Sequence, residues 1–323
     1  MNMRVTKQVH GVGSTQTKEH GRWREDETDR EKWLSLMVAK SSWATRLVHF
    51  PGWERFLRTL FPPEWFQGMR RIELTTEYDL GLRIHCDLSS YIEWCIFFLG
   101  HYGHPTGRLI ESLLNEGDFA VDVGANVGAY ALIMAQSVRS GGRVAAFDAN
   151  SEVYDRLLQN LALNNFTEHI ETYNIALSSQ CGAQLFYLPP ISSPNRGTAT
   201  LIQQARPQGT PITVQVETLD RVIGNWKRCD LIKADTDGND FAVLDGAAEI
   251  IHRYLPSLIF EFDSDLWPEA KKKGEQLSAW LKTLGYSFHW IDQRWGKVRK
   301  LGSRDLPKGN ILALPAHRKI RET

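Results

Sequence analysis

The sequence predicts an α/β fold with a mostly parallel, doubly wound sheet, an antiparallel edge strand and an N-terminal helical and hairpin cap. From about residue 105 onward, short apolar runs alternate with stretches of helical period, as expected of strands joined by crossover helices. A glycine-containing turn follows the first run, and two final apolar runs would supply the antiparallel edge. With 323 residues, 42% hydrophobic and 24% charged, the chain is long enough for one large domain or two smaller ones.

The amino-terminal part of the chain is expected to contain a tail and a cap. Residues 1–30 are polar and charged without a period, which predicts a disordered tail. Residues 31–104 form an aromatic-rich cap, with short helices broken at prolines and a hairpin within 71–88, where apolar residues alternate. Core packing is the favoured role for the Trp-rich stretch 31–71, and a sugar-stacking platform or an interfacial helix are the alternatives.

Residues 105–323 carry the predicted sheet. The predicted strands are the apolar runs 119–123, 143–147, 170–175, 230–235 and 257–262, and the predicted helices lie near 128–138, 151–163, 239–253 and 268–284. The runs 286–291 and 310–314 would add an antiparallel edge pair. The stretch 189–211 is rich in Pro, Gly, Ser and Thr, and its length suggests a functional lid or a variable surface insert.

Composition excludes several classes of protein. Lys+Arg and Asp+Glu both number 38, so a whole-chain polyanion binder is not expected, and neither is a nucleic-acid partner. No apolar run approaches the ~18 residues of a spanning helix, although weak contact of basic segments with a membrane surface stays open. The four cysteines form no C-x-x-C pair, and no apolar signal segment is visible. Reduced thiols and a cytoplasmic location are the expectation.

The turn after the first predicted strand is typical of a cofactor loop. Gly124 and Gly128 let the backbone approach a ligand, and the helix that follows offers free N–H donors. A dinucleotide fold expects G-x-G-x-x-G, but Asn126 stands in the place of the second glycine. Asp122 adds a carboxylate that would repel a pyrophosphate and would suit a cofactor with an ammonium-bearing tail. S-adenosylmethionine has such a tail, and NAD remains the alternative.

Two further groups of acids extend the site. Asp148 follows the second predicted strand, where a carboxylate can accept hydrogen bonds from both ribose hydroxyls or cap the next helix. Asp235 and Asp237 follow the fourth, where a carboxylate base could orient a hydroxyl for in-line methyl transfer. Asp237 could equally belong to a turn around Gly238. These acids with Asp240 could hold a hard cation, but no metal site is predicted.

Six segments in order, DVGANVGAY, AFDAN, NIALSS, ETLD, DLIKADTDGNDFAVLDGA and LIFEF, resemble the FkbM family of S-adenosylmethionine-dependent methyltransferases. The likeness runs from about residue 91 to residue 262. It implies the class I methyltransferase (Rossmann-like) fold. It also implies methylation of a hydroxyl on a sugar, glycolipid or natural-product acceptor.

The resemblance assigns roles to particular residues. It implies a cofactor loop of Asp122, Gly124, Asn126 and Gly128, ribose contacts from Asp148 with Ala149 and Asn150 nearby, adenine contacts at Ala176, and Asp235 at the methionine end and the acceptor, assisted by Asp237. This sequence has Asp148, Asp237 and Asp240 where the family pattern has Glu, and Ala149 where it has Pro. The charges are kept, with side chains one methylene shorter.

Other classes of function stay open at this point. A nucleic-acid or protein methyltransferase is one alternative, although the Asp/Asn-Pro-Pro-aromatic tetrad that clamps a flipped base is absent after the fourth strand. A non-catalytic scaffold that binds S-adenosylmethionine is another. The sequence specifies neither the acceptor nor an oligomeric state.

Overall fold

A computed structural model of the chain describes residues 45, 52–66, 73–190, 193, 197–302 and 306–321. The predicted tail 1–30 and most of the Trp-rich stretch 31–71 lie outside the described residues. Internal contacts divide the chain into two compact units, Met1–Tyr102 and Gly103–Thr323. No helix among the described residues is both long and apolar enough to cross a bilayer.

The first unit contains a helix pair and a hairpin. Its elements are α1 (Trp53–Leu60), a 3-10 turn (Pro63–Phe66), β1 (Glu73–Tyr78), β2 (Leu82–Asp87) and α2 (Tyr91–Leu99). The predicted hairpin is present, with β1 and β2 antiparallel and Leu74 opposite Cys86. Helix α2 is apolar nearly all round and buried. Its Trp94 donates a hydrogen bond to the Phe61 carbonyl at 2.7 Å, and Phe98 stacks on the Phe61 ring, so aromatic side chains form this core.

The second unit contains the remaining helices and strands. The helices are α3 (His104–Leu113), α4 (Ala129–Val138), α5 (Ser151–Leu163), α6 (Leu219–Ile223), α7 (Asp240–Asp245), α8 (Ala248–Tyr254) and α9 (Ala270–Thr283), with 3-10 turns at Arg139–Gly141 and Gln203–Ala205. The strands are β3 (Phe119–Val123), β4 (Arg143–Phe147), β5 (Ile170–Tyr173), β6 (Ala176–Leu177), β7 (Gly182–Leu188), β8 (Thr210–Glu217), β9 (Leu231–Ala234), β10 (Ser257–Phe262), β11 (Tyr286–Ile291), β12 (Val298–Lys300) and β13 (Gly309–Pro315).

Eight of these strands form one sheet in the order β12-β11-β13-β10-β9-β3-β4-β5. The run from β10 to β5 is parallel, and β13 is antiparallel to both β10 and β11. This confirms the predicted class I methyltransferase sheet. The expected pairing of 286–291 with 310–314 is present, but β13 lies inside the sheet and the edge strand is β12. The burial of residues 311–314 in β13 explains its interior position, because both faces of β13 are covered.

The predicted helix 239–253 is two helices, α7 and α8, broken at Gly246. A side chain there would collide with the Ser178 carbonyl, so the close backbone approach requires glycine. The Asp220 carboxylate then accepts hydrogen bonds from the backbone N–H groups of Glu249 and Ile250, both at 3.0 Å, which caps the start of α8.

A second sheet, in the order β6-β8-β7, was not predicted. Strands β7 and β8 pair antiparallel, with Leu188 opposite Thr210, so the predicted insert 189–211 is mainly the connection of this hairpin. The first four residues of β7 are exposed and of mixed polarity, which hides the strand from a search for apolar runs.

Candidate cofactor and active site

The loop 124–128 leaves the carboxyl end of β3 and opens helix α4. Gly124, Asn126 and Gly128 all have left-handed backbones, with φ of 72°, 52° and 92°. A side chain at Gly124 would collide with the backbone carbonyl of Asp235, and asparagine is among the residues that tolerate the left-handed region. The N–H groups of Gly124 and Ala125 both donate to the Phe147 carbonyl at 2.9 Å. The loop is therefore fixed against the ends of both neighbouring strands.

Asp148 holds this loop from the end of β4. Its Oδ2 accepts a hydrogen bond from the Asn126 N–H and its Oδ1 accepts one from the Asn150 N–H, both at 2.9 Å. Burial raises the pKa of Asp148 to about 6, and these two hydrogen bonds oppose the shift. Each carboxylate oxygen still has a second acceptor site. Asp148 can therefore order the loop and accept ribose hydroxyls at once.

Asn150, Ala149 and Ala176 surround the same strand ends. Asn150 caps helix α5, because its Oδ1 accepts a hydrogen bond from the Glu152 N–H at 3.2 Å. The cap considered for Asp148 is thus supplied by Asn150. Ala149 and Ala176 share a small apolar cluster with Ala199. The structure therefore brings Ala149, predicted near the ribose, and Ala176, predicted at the adenine, into one apolar cluster.

Asp122 lies beneath the loop and is fully buried. Its Oδ1 is 3.0 Å from the Nζ of Lys233, which sits directly across from it in β9. Its Oδ2 is buried without a hydrogen-bond partner among the described residues. Asp122 thus presents one buried, unsatisfied acceptor on the underside of the loop.

Lys233 is a site residue that the sequence reasoning missed. Its side chain is 3% exposed, and its Nζ is 3.6 Å from Oδ2 of Asp235 and 4.9 Å from the centre of the Tyr130 ring. Burial alone would lower the pKa of Lys233, but the carboxylates of Asp122 and Asp235 raise it above its ordinary value. Lys233 could have been recognised as a lone lysine inside the apolar run DLIKAD. A lysine in a buried strand indicates an acidic partner, because lysine is almost never fully buried unless it is paired.

Asp235 and Asp237 follow β9 at the same end of the sheet. The Asp235 side chain is 41% exposed, and its N–H donates to the Val123 carbonyl at 3.1 Å. Asp237 lies beyond the strand with a left-handed φ of 51°, and its Oδ1 is 3.7 Å from Nη2 of Arg206. Its carbonyl accepts a hydrogen bond from Thr200 at 2.9 Å. Burial and the charge of Asp235 raise the pKa of Asp237 to about 8.

Asp240 and Glu261 complete the acidic cluster. The Asp240 Oδ2 accepts hydrogen bonds from the Thr236 hydroxyl and the Gly238 N–H, both at 3.3 Å, which stabilises the turn after β9. Burial, and secondly the charge of Asp235, raise the pKa values of Asp240 and Glu261 to about 7. Within the described ranges, no three His, Cys, Asp or Glu side chains form a group that could hold a metal ion.

These residues fit S-adenosylmethionine on four counts. The loop presents its backbone at the amino terminus of α4, Asp148 keeps acceptor capacity for ribose hydroxyls, two alanines offer an apolar surface, and Asp122 has an unpaired buried oxygen. A doubly wound sheet binds its ligand in this place, outside the carboxyl ends of its strands. Fold and site define a class I, S-adenosylmethionine-dependent methyltransferase.

The family model of the methyltransferase FkbM domain matches residues 122–288, more than half of the chain. The chain belongs to this family, and S-adenosylmethionine is its cofactor. The predicted family and enzyme class are confirmed.

The chain is also similar to individual proteins. Methyltransferase sdnD of Sordaria araneosa is 27% identical over 213 residues, which cover 56% of this chain and 78% of that protein. The crystal structure of methyltransferase FkbM from Methylobacillus flagellatus KT is 13% identical, covers 90% of this chain and 60% of that one, and has a TM-score of 0.41. The O-methyltransferase from Bacillus cereus, solved in complex with SAH, is 14% identical. The match covers 65% of this chain and 80% of that one, with a TM-score of 0.39.

Proposed function

We propose that this methyltransferase methylates a hydroxyl oxygen of a sugar, glycolipid or natural-product acceptor, with Asp235 nearest the reacting oxygen and Asp237 assisting. The observation that carries the proposal is the position of Asp235. Its partly exposed carboxylate follows β9, and its backbone carbonyl lies against Gly124 of the cofactor loop. A carboxylate there can accept the hydrogen bond of an acceptor hydroxyl and orient its lone pair.

The other residues divide the binding of the cofactor among them. Asp148 would accept the ribose hydroxyls with Ala149 and Asn150 beside it, and Ala176 would border the adenine. The loop with Asp122 beneath it would hold the methionine end, which Asp235 would also face. When bound, S-adenosylmethionine supplies a methyl group on a sulfonium sulfur, which leaves as a neutral thioether. The acceptor hydroxyl supplies the electron pair for the new C–O bond and gives its proton to the Asp235 carboxylate.

Asp237 and Asp235 would take different roles, one as a hydrogen-bond donor and the other as a proton acceptor. Burial and the charge of Asp235 raise the pKa of Asp237 to about 8, which favours its protonated form. A protonated carboxyl donates a hydrogen bond, so Asp237 would orient the acceptor, whereas Asp235 would accept its proton. Arg206, 3.7 Å from Asp237, opposes the protonated form and limits the shift.

The test is methyl transfer from labelled S-adenosylmethionine to a panel of sugars, glycolipids and hydroxylated natural products, with RNA and protein as comparison acceptors. Once an acceptor is found, Asp235→Asn should lower kcat by about 100-fold or more, the usual contribution of a general base. Affinity for S-adenosylhomocysteine, which lacks the sulfonium charge, should change by less than about threefold, because the loop and Asp148 are untouched.

The matched control is Asp263→Asn. Asp263 is an acid that follows β10, and its Oδ2 is 2.6 Å from Nζ of Lys308. This control should leave kcat within about twofold of wild type. Methylation of RNA or protein in preference to every hydroxyl compound, or a kcat of Asp235→Asn equal to wild type, would contradict the proposal.

A further inference from the structure

Lys233 lies between a buried and an exposed carboxylate. Its Nζ is 3.0 Å from Oδ1 of fully buried Asp122 and 3.6 Å from Oδ2 of Asp235, whose side chain is 41% exposed. The Tyr130 ring also contacts the ammonium, with the ring centre 4.9 Å from Nζ of Lys233. The ammonium therefore has a fixed inner anchor and an outer contact that faces the candidate acceptor site.

The inner anchor restricts where the ammonium can lie. Asp122 and Lys233 are cross-strand partners in the central sheet, and neither side chain has appreciable exposure. Asp235 is the first residue after β9, and the 3.6 Å distance from its Oδ2 to Nζ places it beside Lys233 at the carboxyl end of this strand. The charge of Lys233 is already matched by Asp122, so the contact with Asp235 is additional to what a buried lysine needs.

The contact with Lys233 distinguishes Asp235 from the other acids around it. Asp235, Asp237, Asp240 and Glu261 interact electrostatically at this end of the sheet. Among the described residues, Asp235 is the member of this set within ion-pair distance of Lys233. The Asp237 Oδ1 lies 3.7 Å from Nη2 of Arg206, and the Asp240 carboxylate accepts hydrogen bonds within the turn after β9.

We propose that Lys233 is a positioning residue, anchored by Asp122 and Tyr130, that fixes the Asp235 carboxylate at the point where the methyl group is transferred. This proposal rests on the role given to Asp235 above. Lys233 does not touch the reacting atoms, since its side chain is 3% exposed. It acts by restricting the rotamers of Asp235.

The probe is sinefungin, an S-adenosylmethionine analogue that carries an amine where the cofactor carries its transferable methyl group. A carboxylate fixed at that point should favour the charged amine over S-adenosylhomocysteine, which has no group there. The quantity to measure by calorimetry is the ratio of the two affinities, because general damage to the cofactor site cancels from it. We expect wild type to prefer sinefungin by about tenfold, or about 1.4 kcal/mol.

Four variants separate the roles of the residues. Asp235→Asn should bring the ratio close to one. The double variant Asp122→Asn/Lys233→Met removes both buried charges together, so that no unpaired ion is left inside, and it should also bring the ratio close to one. Asp122→Asn alone keeps Lys233 beside Asp235 and should retain most of the preference. Adding Asp235→Asn to the double variant should cause no further change.

Lys308→Met is the matched control, because it removes a lysine from the same end of the sheet that pairs with Asp263 and not with Asp235. It should leave the ratio unchanged. If the double variant keeps or increases the preference while Asp235→Asn loses it, Lys233 has no positioning role and Asp235 keeps its own. If Asp235→Asn keeps the preference, the placement of Asp235 in the proposed function fails, and the role of Lys233 fails with it.

Discussion

Replacing Gly124 by alanine tests the packing of the cofactor loop against β9. Gly124 has a φ of 72°, and a Cβ there would overlap the Asp235 carbonyl oxygen. A left-handed backbone costs a non-glycine residue about 1–2 kcal/mol. Relief of the overlap also requires β3 and β9 to separate where the Asp235 N–H donates to the Val123 carbonyl at 3.1 Å. That hydrogen bond contributes about 1 kcal/mol.

Gly117 provides a control with the same backbone conformation. Its φ is 84°, and a Cβ there would meet no atom within 4 Å. Gly117→Ala therefore carries the conformational cost alone, whereas Gly124→Ala carries that cost and the separation of the strand ends. In urea unfolding, Gly124→Ala should be less stable than Gly117→Ala by about 1 kcal/mol or more.

Calorimetric titration with S-adenosylmethionine supplies the second readout. Gly124→Ala should weaken binding by at least about tenfold, or about 1.4 kcal/mol, because the loop must move away from the position that Asp148 holds. Gly117→Ala should bind as wild type does. Equal stability of the two variants, together with unimpaired binding by Gly124→Ala, would refute this account of the loop.

Three further outcomes are expected. Asp148→Asn puts an amide donor against a backbone N–H and should weaken S-adenosylmethionine binding about tenfold or more by calorimetry; unchanged affinity would contradict the loop geometry. Because the folded-state pKa of Asp240 is raised to about 7, the folded chain keeps a proton that the unfolded chain loses above about pH 4, so the stability contributed by Asp240 falls as pH rises from about 4 to 7. Asp240→Asn should therefore reduce the loss of unfolding free energy between pH 5 and pH 7.5, and an unchanged pH dependence would disprove the shift. Arg228→Met should cost about 1–3 kcal/mol in urea unfolding, since buried Asp230 loses a two-point contact and buried Asp118 loses a contact of 2.6 Å. The exposed Arg139→Met should cost less than about 0.5 kcal/mol; equal costs would show that the contacts of Arg228 to these two acids add nothing.

The central strands could be predicted because burial on both faces leaves continuous apolar runs. Strands 119–123, 143–147 and 257–262 begin and end where the sequence predicts. Strands β7 and β8 could not be found in this way, since much of each is exposed and their residues alternate only weakly. What defines them is their pairing with each other, which no local pattern records.

The candidate site was predictable in position and less so in its internal contacts. The order of loop, helix, strand and acid places Asp148 at the loop, but its bonds to two backbone N–H groups depend on how residues 126 and 150 fold around it. The pairing of Asp122 with Lys233 joins residues 111 apart in the chain. Only the register of β3 against β9 brings them together.

The position of β13 has a consequence for how the chain is made. Strand β10 pairs on one side with β9, which precedes it, and on the other with β13, which is synthesised after β11 and β12. While residues 309–315 are still in the ribosome, β10 has an open edge and apolar residues such as Leu258 and Phe260 lack their final neighbours. Open strand edges recruit other chains. During translation, one edge of β10 therefore stays open until β13 has left the ribosome.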